Sequence, residues 1–377
     1  MEKWIERQRH LIDFTLSSLF RRKRKNAALV FVYMLVVFLL ASVVFFVQSM
    51  KKESAAVLKD APEILIQRMV AGRYEIIPLS YLEPVQSIRG VSSARTRLWG
   101  YYYDPVVGAN YTLMVPENSE LGPGKIIVGE GVSRVRLANA GDTMEFRTYA
   151  GEVIDLVIES TLSSESEMVS SDLILVTEQD FRRLFGVPNG FATDLAVRIR
   201  NPREIQTVAL KAAGLLPDTR QILKDEILRT YDAVFDWRGG ILIIILSGVL
   251  MAFGILAWDK ASGLSSEERR EIGILKAIGW ETSDVLLMKF WEGMAVSLAS
   301  FFIGVMLAYV HVYFASAALF EPVLKGWSVL YPRFRMIPSL DFFELSVLFF
   351  LSVVPYTVAT IIPAWKAATS DPDSVMR

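Results

Sequence analysis

The sequence predicts a membrane protein with four transmembrane α-helices and a large α+β extracytoplasmic domain, inserted between the first and second spans on helical stalks. Hydrophobic residues make up 52% of the 377 residues, with a mean hydropathy of +0.35, and they are unevenly distributed. Four apolar segments are about 20 residues long or longer, which is enough to cross the roughly 30 Å hydrocarbon core of a bilayer. A long segment with strand and turn patterns separates the first two. The predicted spans are residues 27–47, 239–258, 290–314 and 344–363.

The distribution of basic residues predicts the orientation of the chain. Lys3, Arg7, Arg9 and the run Arg21–Lys25 all precede the first span. Because cytoplasmic segments next to a span are enriched in Lys and Arg, we expect the N-terminus in the cytoplasm. Four spans return the C-terminus to the same side. The segments predicted outside are 48–238 and 315–343, and those predicted inside are 1–26, 259–289 and 364–377.

Two of these predictions have an alternative. A buried core helix is the alternative for each span, although core helices are usually shorter and have a polar face. In residues 1–26 apolar residues alternate with arginines, which predicts a basic amphipathic helix that lies along the surface of the lipid membrane. A solvated basic tail is the alternative for that segment.

Composition argues against several classes of site. The chain has 40 basic and 41 acidic residues, so no overall field favours nucleic acid as a partner. It has no cysteine, which excludes disulfides, zinc–thiolate sites and cysteine nucleophiles, and only two histidines. The sequence therefore predicts no catalytic residue, no metal site and no cofactor in this chain. The phosphate-binding pattern G-x-x-x-x-G-K-[ST] is also absent, so any ATPase is expected to be a separate polypeptide.

The predicted ectodomain, residues 48–238, has the pattern of a mixed domain between two stalk helices. Ala150-Gly151 predicts a hairpin turn, and residues 218–239 have a helical pattern that predicts the second stalk. The serine-rich stretch 160–171 predicts an exposed loop in which Glu167 is solvated. The strand-like stretches are 63–70, 91–103, 110–115, 125–128, 142–149, 152–159, 172–176 and 194–200.

The segment Ser265–Trp280, SSEERREIGILKAIGW, is charged and amphipathic and lies between two apolar spans. Ser265 and Glu268 have the spacing of a capping box that begins a helix, and Gly279 is suited to end it. Lipid does not accommodate so many charges, so the helix must lie in water, against the membrane surface or against a partner. It is either an interfacial helix without a partner or a helix that docks in an apolar groove. Its apolar face comprises Ile272, Leu275 and Ile278, with Ile274 beside it.

Small residues recur at four-residue spacing in two of the spans. Such spacing lets helix backbones approach closely. The sequence therefore predicts tight helix packing, either within one chain, which we favour, or between two copies. The residues are Gly248 and Ala252 in the second span, and Ser300, Gly304 and Ala308 in the third.

Three stretches resemble a known family. The loop ERREIGILKAIGW resembles the signature of FtsX-like permeases of ABC transporters, the MacB or lipoprotein-releasing type, which reads E-R-x-R-E-I-G-hydrophobic-x-x-A-hydrophobic-G. Pro363–Arg377 is similar to the family's terminal P-A-x-x-A-A-x-x-D-P-x-x-x-L-R, with Trp365 and Met376 as departures. Ile127–Gly131, followed by Ala140–Thr143, looks like the family's periplasmic core domain. The matching loop residues are Glu268, Arg269, Arg270, Glu271, Ile272, Gly273, Ile274, Ala277, Ile278 and Gly279, with one residue fewer after the first Glu.

The resemblance implies a permease subunit of an ABC transporter in the bacterial cytoplasmic (inner) membrane. It implies that two permeases, identical or paralogous, pair and bind a dimer of a cytoplasmic ATPase, which holds ATP and Mg. Movement driven by ATP would be transmitted to the ectodomain, a mode called mechanotransmission, to extract or export a lipoprotein, lipid or amphiphile. Ser265–Trp280 would be the ATPase-coupling helix. Its expected apolar contacts are Ile272, Ile274, Leu275 and Ile278, and its expected polar contacts are Glu268, Arg269, Arg270 and Glu271.

Two other functions stay open from the sequence. The chain and its ATPase could transport nothing and instead use ectodomain movement to activate a cell-wall hydrolase. Alternatively, the chain is a membrane sensor or scaffold unrelated to ABC transporters. Drug or toxin efflux falls within the transport function and would require an adaptor protein outside the membrane.

Overall fold

The computed structural model describes residues 2–117, 121–162, 167–230, 266–322, 329–331 and 336–369, with scattered residues between 232 and 258. In chain order the helices of the described residues are α1 (Glu2–Arg21), α2 (Lys23–Val57), α3 (Leu82–Gln86), α4 (Glu130–Arg136), α5 (Glu167–Ser170), α6 (Glu178–Phe185), α7 (Ile205–Leu215), α8 (Ser266–Ala277), α9 (Thr282–Tyr313) and α10 (Phe342–Thr369). The strands are β1 (Ile64–Val70), β2 (Arg73–Glu75), β3 (Ile77–Pro78), β4 (Val91–Arg97), β5 (Trp99–Asp104), β6 (Ala109–Met114), β7 (Lys125–Gly129), β8 (Thr143–Arg147), β9 (Val153–Leu162), β10 (Leu173–Val176), β11 (Phe191–Ala192), β12 (Asp194–Ile199) and β13 (Thr219–Leu223).

The chain divides into a helical unit and a mixed unit. The helical unit consists of Met1–Ser49, Asp236–Ala318 and Pro338–Arg377. The mixed unit consists of Met50–Phe235 and Leu319–Ile337. Part of the segment predicted to connect the last two spans therefore belongs to the mixed unit.

Three helices of the described residues are long and apolar enough to cross a membrane. They are Lys23–Ala56, Thr282–Tyr313 and Phe342–Ile362. These helices contain most of the predicted spans 27–47, 290–314 and 344–363, and the chain is a membrane protein. The predicted span 239–258 lies largely outside the described residues.

Two sheets form the centre of the mixed unit. In the first, the strand order is β13-β1-β12-β4, with β2 paired to β1. In the second, the order is β5-β6-β10-β7-β9-β8, in which β6/β10 and β7/β9 are parallel pairs. Alternate residues of β9 are buried, as expected for a strand with one face on the core. The buried residues of both sheets join a single hydrophobic cluster that includes Ile64, Leu113, Ile126, Phe146 and Val197.

Several local features follow directly from residue type. β8 and β9 form the predicted hairpin, and Gly151 in its turn has a φ of 86°, a conformation that a residue without Cβ adopts at low cost. Gly131, in the stretch that resembles the family's periplasmic core, lies so close to the residue after α5 that a Cβ would be 2.6 Å from the main-chain oxygen of Ser171. Glycine at this position is therefore required by close packing.

The carboxylate of Asp194 is fully buried between the strands of the mixed unit. Arg97 donates from Nε to Oδ1 at 2.7 Å and from Nη2 to Oδ2 at 2.6 Å, and Trp99 Nε1 donates to Oδ2 at 2.9 Å. Three donors offset the cost of removing this carboxylate from water. The group joins β12 to β4 and β5.

Two predictions for the mixed unit are wrong. Thr219–Leu223, predicted as part of a helix, is strand β13 and pairs antiparallel with β1, for example Leu223 with Ile64. Glu167, predicted as solvated, is buried, and its Oε2 accepts from Arg134 Nη2 at 2.8 Å. Both errors have the same cause: the strand pairing of Thr219–Leu223 and the ion pair of Glu167 each depend on a partner that is not a sequence neighbour.

Candidate functional site

The segment that resembles the family's loop contains helix α8. The helix ends in a turn in which Trp280 N–H donates to Leu275 C=O at 3.0 Å and Gly279 N–H donates to Lys276 C=O at 3.1 Å. This is a Schellman turn, and Gly279 has the left-handed φ of 101° that such a turn requires. The predicted end of the helix at Gly279 is confirmed. Ser265 lies outside the described residues, as do the side chains of Glu268 and Arg269.

The apolar residues of α8 divide between two faces. Ile272 and Leu275 are 3% and 6% exposed, because α8 packs against α9 and α10. Ile274 and Ile278 are 50% and 69% exposed. The predicted apolar contact with a partner is therefore corrected: Ile272 and Leu275 lie in the interior of the chain, whereas Ile274 and Ile278 are accessible.

The accessible residues share one side of the helix. Arg270, Ile274, Ala277 and Ile278 are all exposed and follow each other at spacings of four, three and one residues, which places them on adjoining turns of one face. We call these four residues the exposed face of α8. Gly273, at the border of this face, is buried.

Glu271 points toward the N-terminal part of the chain. Its Oε2 accepts from Arg22 Nη2 at 2.7 Å and its Oε1 from Arg21 Nη2 at 3.4 Å. The Glu271 side chain is 27% exposed. Glu271 thus forms ion pairs within the chain, and its polar contact with a partner stays a prediction.

Helix α1 lies against the beginning of α9. Arg7 forms an ion pair with Asp284, and Trp291 Nε1 donates to Gln8 Oε1 at 3.0 Å. The carboxylate of Asp284 raises the pKa of Arg7 above its ordinary value, first through a hydrogen bond and then through charge. Gln8, Leu11 and Thr15 are buried at spacings of three and four residues, so α1 is amphipathic, with one face on the protein.

Small residues of α9 pack within the chain. Ser300 Oγ donates to Val30 C=O of α2 at 3.2 Å, and a Cβ on Gly304 would be 2.9 Å from Met34 C=O. Ala308 is completely buried. By contrast, Gly248 and Ala252 in the second predicted span are exposed, and a Cβ on Gly248 would meet no atom within 4 Å.

The mixed unit has a cavity of about 500 Å³ between β5, α4 and β8. Asp104 at its wall is buried and pairs with Arg136, and it accepts from Tyr111 Oη at 2.8 Å. Burial, followed by this hydrogen bond, raises the pKa of Tyr111. Exposed Val106 and Val153 line the same cavity, so its wall combines charged and apolar groups.

Among the described residues, no group of three or more His, Asp or Glu side chains is placed to hold a metal ion. The exposed face of α8 presents two apolar side chains, Ile274 and Ile278, beside the exposed Arg270.

Comparison with known proteins bears on the family. Residues 239–372 match the family described as FtsX-like permease C-terminal. The extracellular domain of the noncanonic ABC-type transporter YknZ from Gram-positive bacteria is 12% identical, covering 41% of this chain and 92% of its own, with a TM-score of 0.28. The periplasmic region of MacB from Actinobacillus actinomycetemcomitans is 10% identical, covering 45% of this chain and 92% of its own, with a TM-score of 0.30. No curated protein matches the chain in sequence.

Helices α8, α9 and α10 all lie inside the matched region. The resemblance predicted from the loop and the C-terminal motif is thereby confirmed: residues 239–372, about a third of the chain, are similar to the C-terminal part of FtsX-like permeases.

Proposed function

We propose that the chain is the membrane permease of an ABC transporter, that ATP and Mg are bound by a separate cytoplasmic ATPase dimer, and that the exposed face of α8 binds this ATPase. The observation on which the proposal depends is the accessibility of Ile274 and Ile278. Isolated exposed apolar residues are common on protein surfaces, but these two stand one turn apart on a helix rich in charge. That arrangement suits a helix that docks in an apolar groove.

The neighbouring groups support the same function. Arg270 is exposed beside the apolar strip and can add a charged contact at its edge. Ile272 and Leu275 attach the opposite face of α8 to the membrane helices. A helix anchored on one face and accessible on the other can pass a displacement of its partner to the helices behind it.

The similarity to FtsX-like permeases supports the remaining parts of the proposal, which are the pairing, the orientation, the mechanism and the substrate class. In this proposal two permeases, identical or paralogous, pair in the bacterial inner membrane with both termini in the cytoplasm and the mixed unit outside. The ATPase drives mechanotransmission through the stalk helices, and the substrate is a lipoprotein, lipid or amphiphile. The cavity bounded by β5 and β8 is consistent with an amphiphile, because its wall has both Arg136 and apolar residues.

The docking function is tested by affinity purification of the full chain in a mild detergent. We expect an ATPase to co-purify, and the double substitution Ile274→Asp with Ile278→Asp to remove it while the permease still inserts in the membrane. Leu210→Asp is the matched control, since Leu210 is a 73% exposed leucine on helix α7 of the mixed unit. Undiminished ATPase binding by the double variant would refute the docking function.

The same purification distinguishes the transport and regulatory functions. A lipid-modified protein or lipid bound to the complex, and moved when ATP is added, supports transport. A complex that moves neither and instead binds a cell-wall hydrolase favours the regulatory function. An adaptor protein in the complex would indicate efflux across a second membrane.

A further inference from the structure

Glu271 lies in the loop motif, yet its carboxylate is directed at the corner between α1 and α2. We propose that Glu271, Arg21 and Arg22 form a positioning group, which joins α8 to the base of the first transmembrane helix, so that displacement of α8 by the ATPase moves α2 directly. This inference rests on the proposed function, because it requires a partner that acts on α8. It adds a second connection to the one through the Gly279 turn into α9.

The two arginines lie at the junction between α1 and α2, where a displacement of α8 can be passed to α2. α1 ends at Arg21 and α2 begins at Lys23, so Arg22 is the one residue between the two helices. The Arg22 side chain is only 25% exposed, compared with 64% for Arg21. Glu271 therefore contacts the first span where that helix begins, and α2 continues without interruption to Val57.

Both carboxylate oxygens of Glu271 are used inside the chain. Oε2 pairs with Arg22 at 2.7 Å and Oε1 with Arg21 at 3.4 Å. An ion pair that uses both oxygens constrains orientation as well as distance. Arg270, the preceding residue, is exposed, so adjacent motif residues have separate roles: Arg270 faces a partner, and Glu271 faces α1 and α2.

A second set of contacts joins α1 to the chain beyond the Gly279 turn. The rings of Phe14 and Trp280 are 5.2 Å apart between centroids, and the guanidinium of Arg21 lies 5.9 Å from the centroid of Phe14. Arg21 thus contacts Phe14 and Glu271 together. Helix α1 consequently bridges both sides of the turn and limits rotation of α8 about Gly279.

The experiment measures coupling and position separately in the intact complex. The full chain and the ATPase that co-purifies with it are reconstituted in nanodiscs of phosphatidylethanolamine and phosphatidylglycerol. Stimulation of ATP hydrolysis by the permease is compared for the parent, Glu271→Gln, Glu271→Arg, Arg22→Glu, and the combined Glu271→Arg with Arg22→Glu. Glu6→Gln, on the exposed side of α1, is the matched control for loss of an acidic group.

Position is measured by the distance between spin labels at Ala28→Cys in α2 and Lys276→Cys in α8, a half-buried position outside the exposed face that binds the ATPase. The permease has no cysteine of its own, so these are its only labelling sites. In the parent we expect one narrow distance distribution, with and without nucleotide. In Glu271→Gln we expect a broad distribution and stimulation lower by about fivefold, the upper end of what a partly exposed ion pair contributes.

Exchanging the charges of Glu271 and Arg22 distinguishes a positioning role of this ion pair from a general effect on stability. We expect Glu271→Arg and Arg22→Glu each to lower stimulation, and their combination to return it to within about twofold of the parent, as an interacting pair should. Failure of the combination to recover, or an unchanged distance distribution in Glu271→Gln, would overturn the inference. Loss of ATPase binding in Glu271→Gln would also overturn it, since Glu271 would then be a partner contact.

The test of the proposed function does not depend on the results for Glu271. That function depends on Ile274 and Ile278, and it fails if their substitution leaves ATPase binding intact. The positioning group fails if binding through those residues is intact but Glu271 has no effect on coupling or position.

Discussion

Ile274 and Leu275 are neighbours in the sequence, but Ile274 is exposed and Leu275 is buried against the chain's own helices. Substituting each by alanine tests the assignment of the two faces. Leu275 is 6% exposed, so Leu275→Ala leaves a cavity against α9 and α10 and is expected to cost about 2–4 kcal/mol of stability. Ile274 is 50% exposed, so Ile274→Ala should change stability by less than about 0.5 kcal/mol.

The effects on partner binding should be reversed. Full burial of an isoleucine side chain is worth about 1.5–3 kcal/mol, and half of that side chain is still available for burial by a partner. Ile274→Ala should therefore weaken ATPase binding by about 1 kcal/mol, which is about fivefold in Kd. Leu275→Ala should leave the affinity of the folded fraction nearly unchanged.

Two measurements on the purified permease check the predictions for Ile274→Ala and Leu275→Ala. Thermal unfolding in detergent, followed by size-exclusion chromatography, reports stability, and titration with the ATPase reports Kd. The assignment of the faces is refuted if Ile274→Ala destabilises the permease as much as Leu275→Ala does. It is also refuted if Leu275→Ala weakens binding without lowering the unfolding temperature.

Two further predictions concern packing inside each unit. Gly304→Ala should destabilise the helical unit by about 1–3 kcal/mol because its Cβ would meet the α2 backbone. Gly248→Ala, the control, should leave the thermal unfolding of the single chain unchanged, and equal effects of the two substitutions would contradict the packing described for α9. Arg97→Ala should cost about 3–5 kcal/mol because it leaves Asp194 buried with an uncompensated charge, and a melting temperature like that of the parent would show that this ion pair is not needed.

Local patterns in the sequence were sufficient for much of the fold. Apolar runs of about 20 residues predict the long helices, since an unbroken apolar helix of that length has few other environments. The turn at Ala150-Gly151 predicts the β8–β9 hairpin because its residues are adjacent and need no distant partner. β13 was missed for the opposite reason: Thr219–Leu223 becomes a strand by pairing with β1, about 150 residues earlier in the chain.

The candidate site shows the same division. Residue type and spacing identify α8, its end at Gly279 and its relation to FtsX-like permeases. Helical periodicity places Ile272, Ile274, Leu275 and Ile278 near one another, but an apolar strip wide enough for two contacts gives no indication of which side meets the chain's own helices.

By itself the sequence determined the long apolar helices, the amphipathic helix of Ser265–Trp280 and the similarity of residues 239–372 to FtsX-like permeases. Those properties depend on composition, length and short motifs. Only the tertiary structure decided that Ile274 and Ile278 are accessible while Glu271 faces Arg21 and Arg22. Accessibility and ion pairing depend on elements hundreds of residues apart, and their relative placement is set by packing rather than by local pattern.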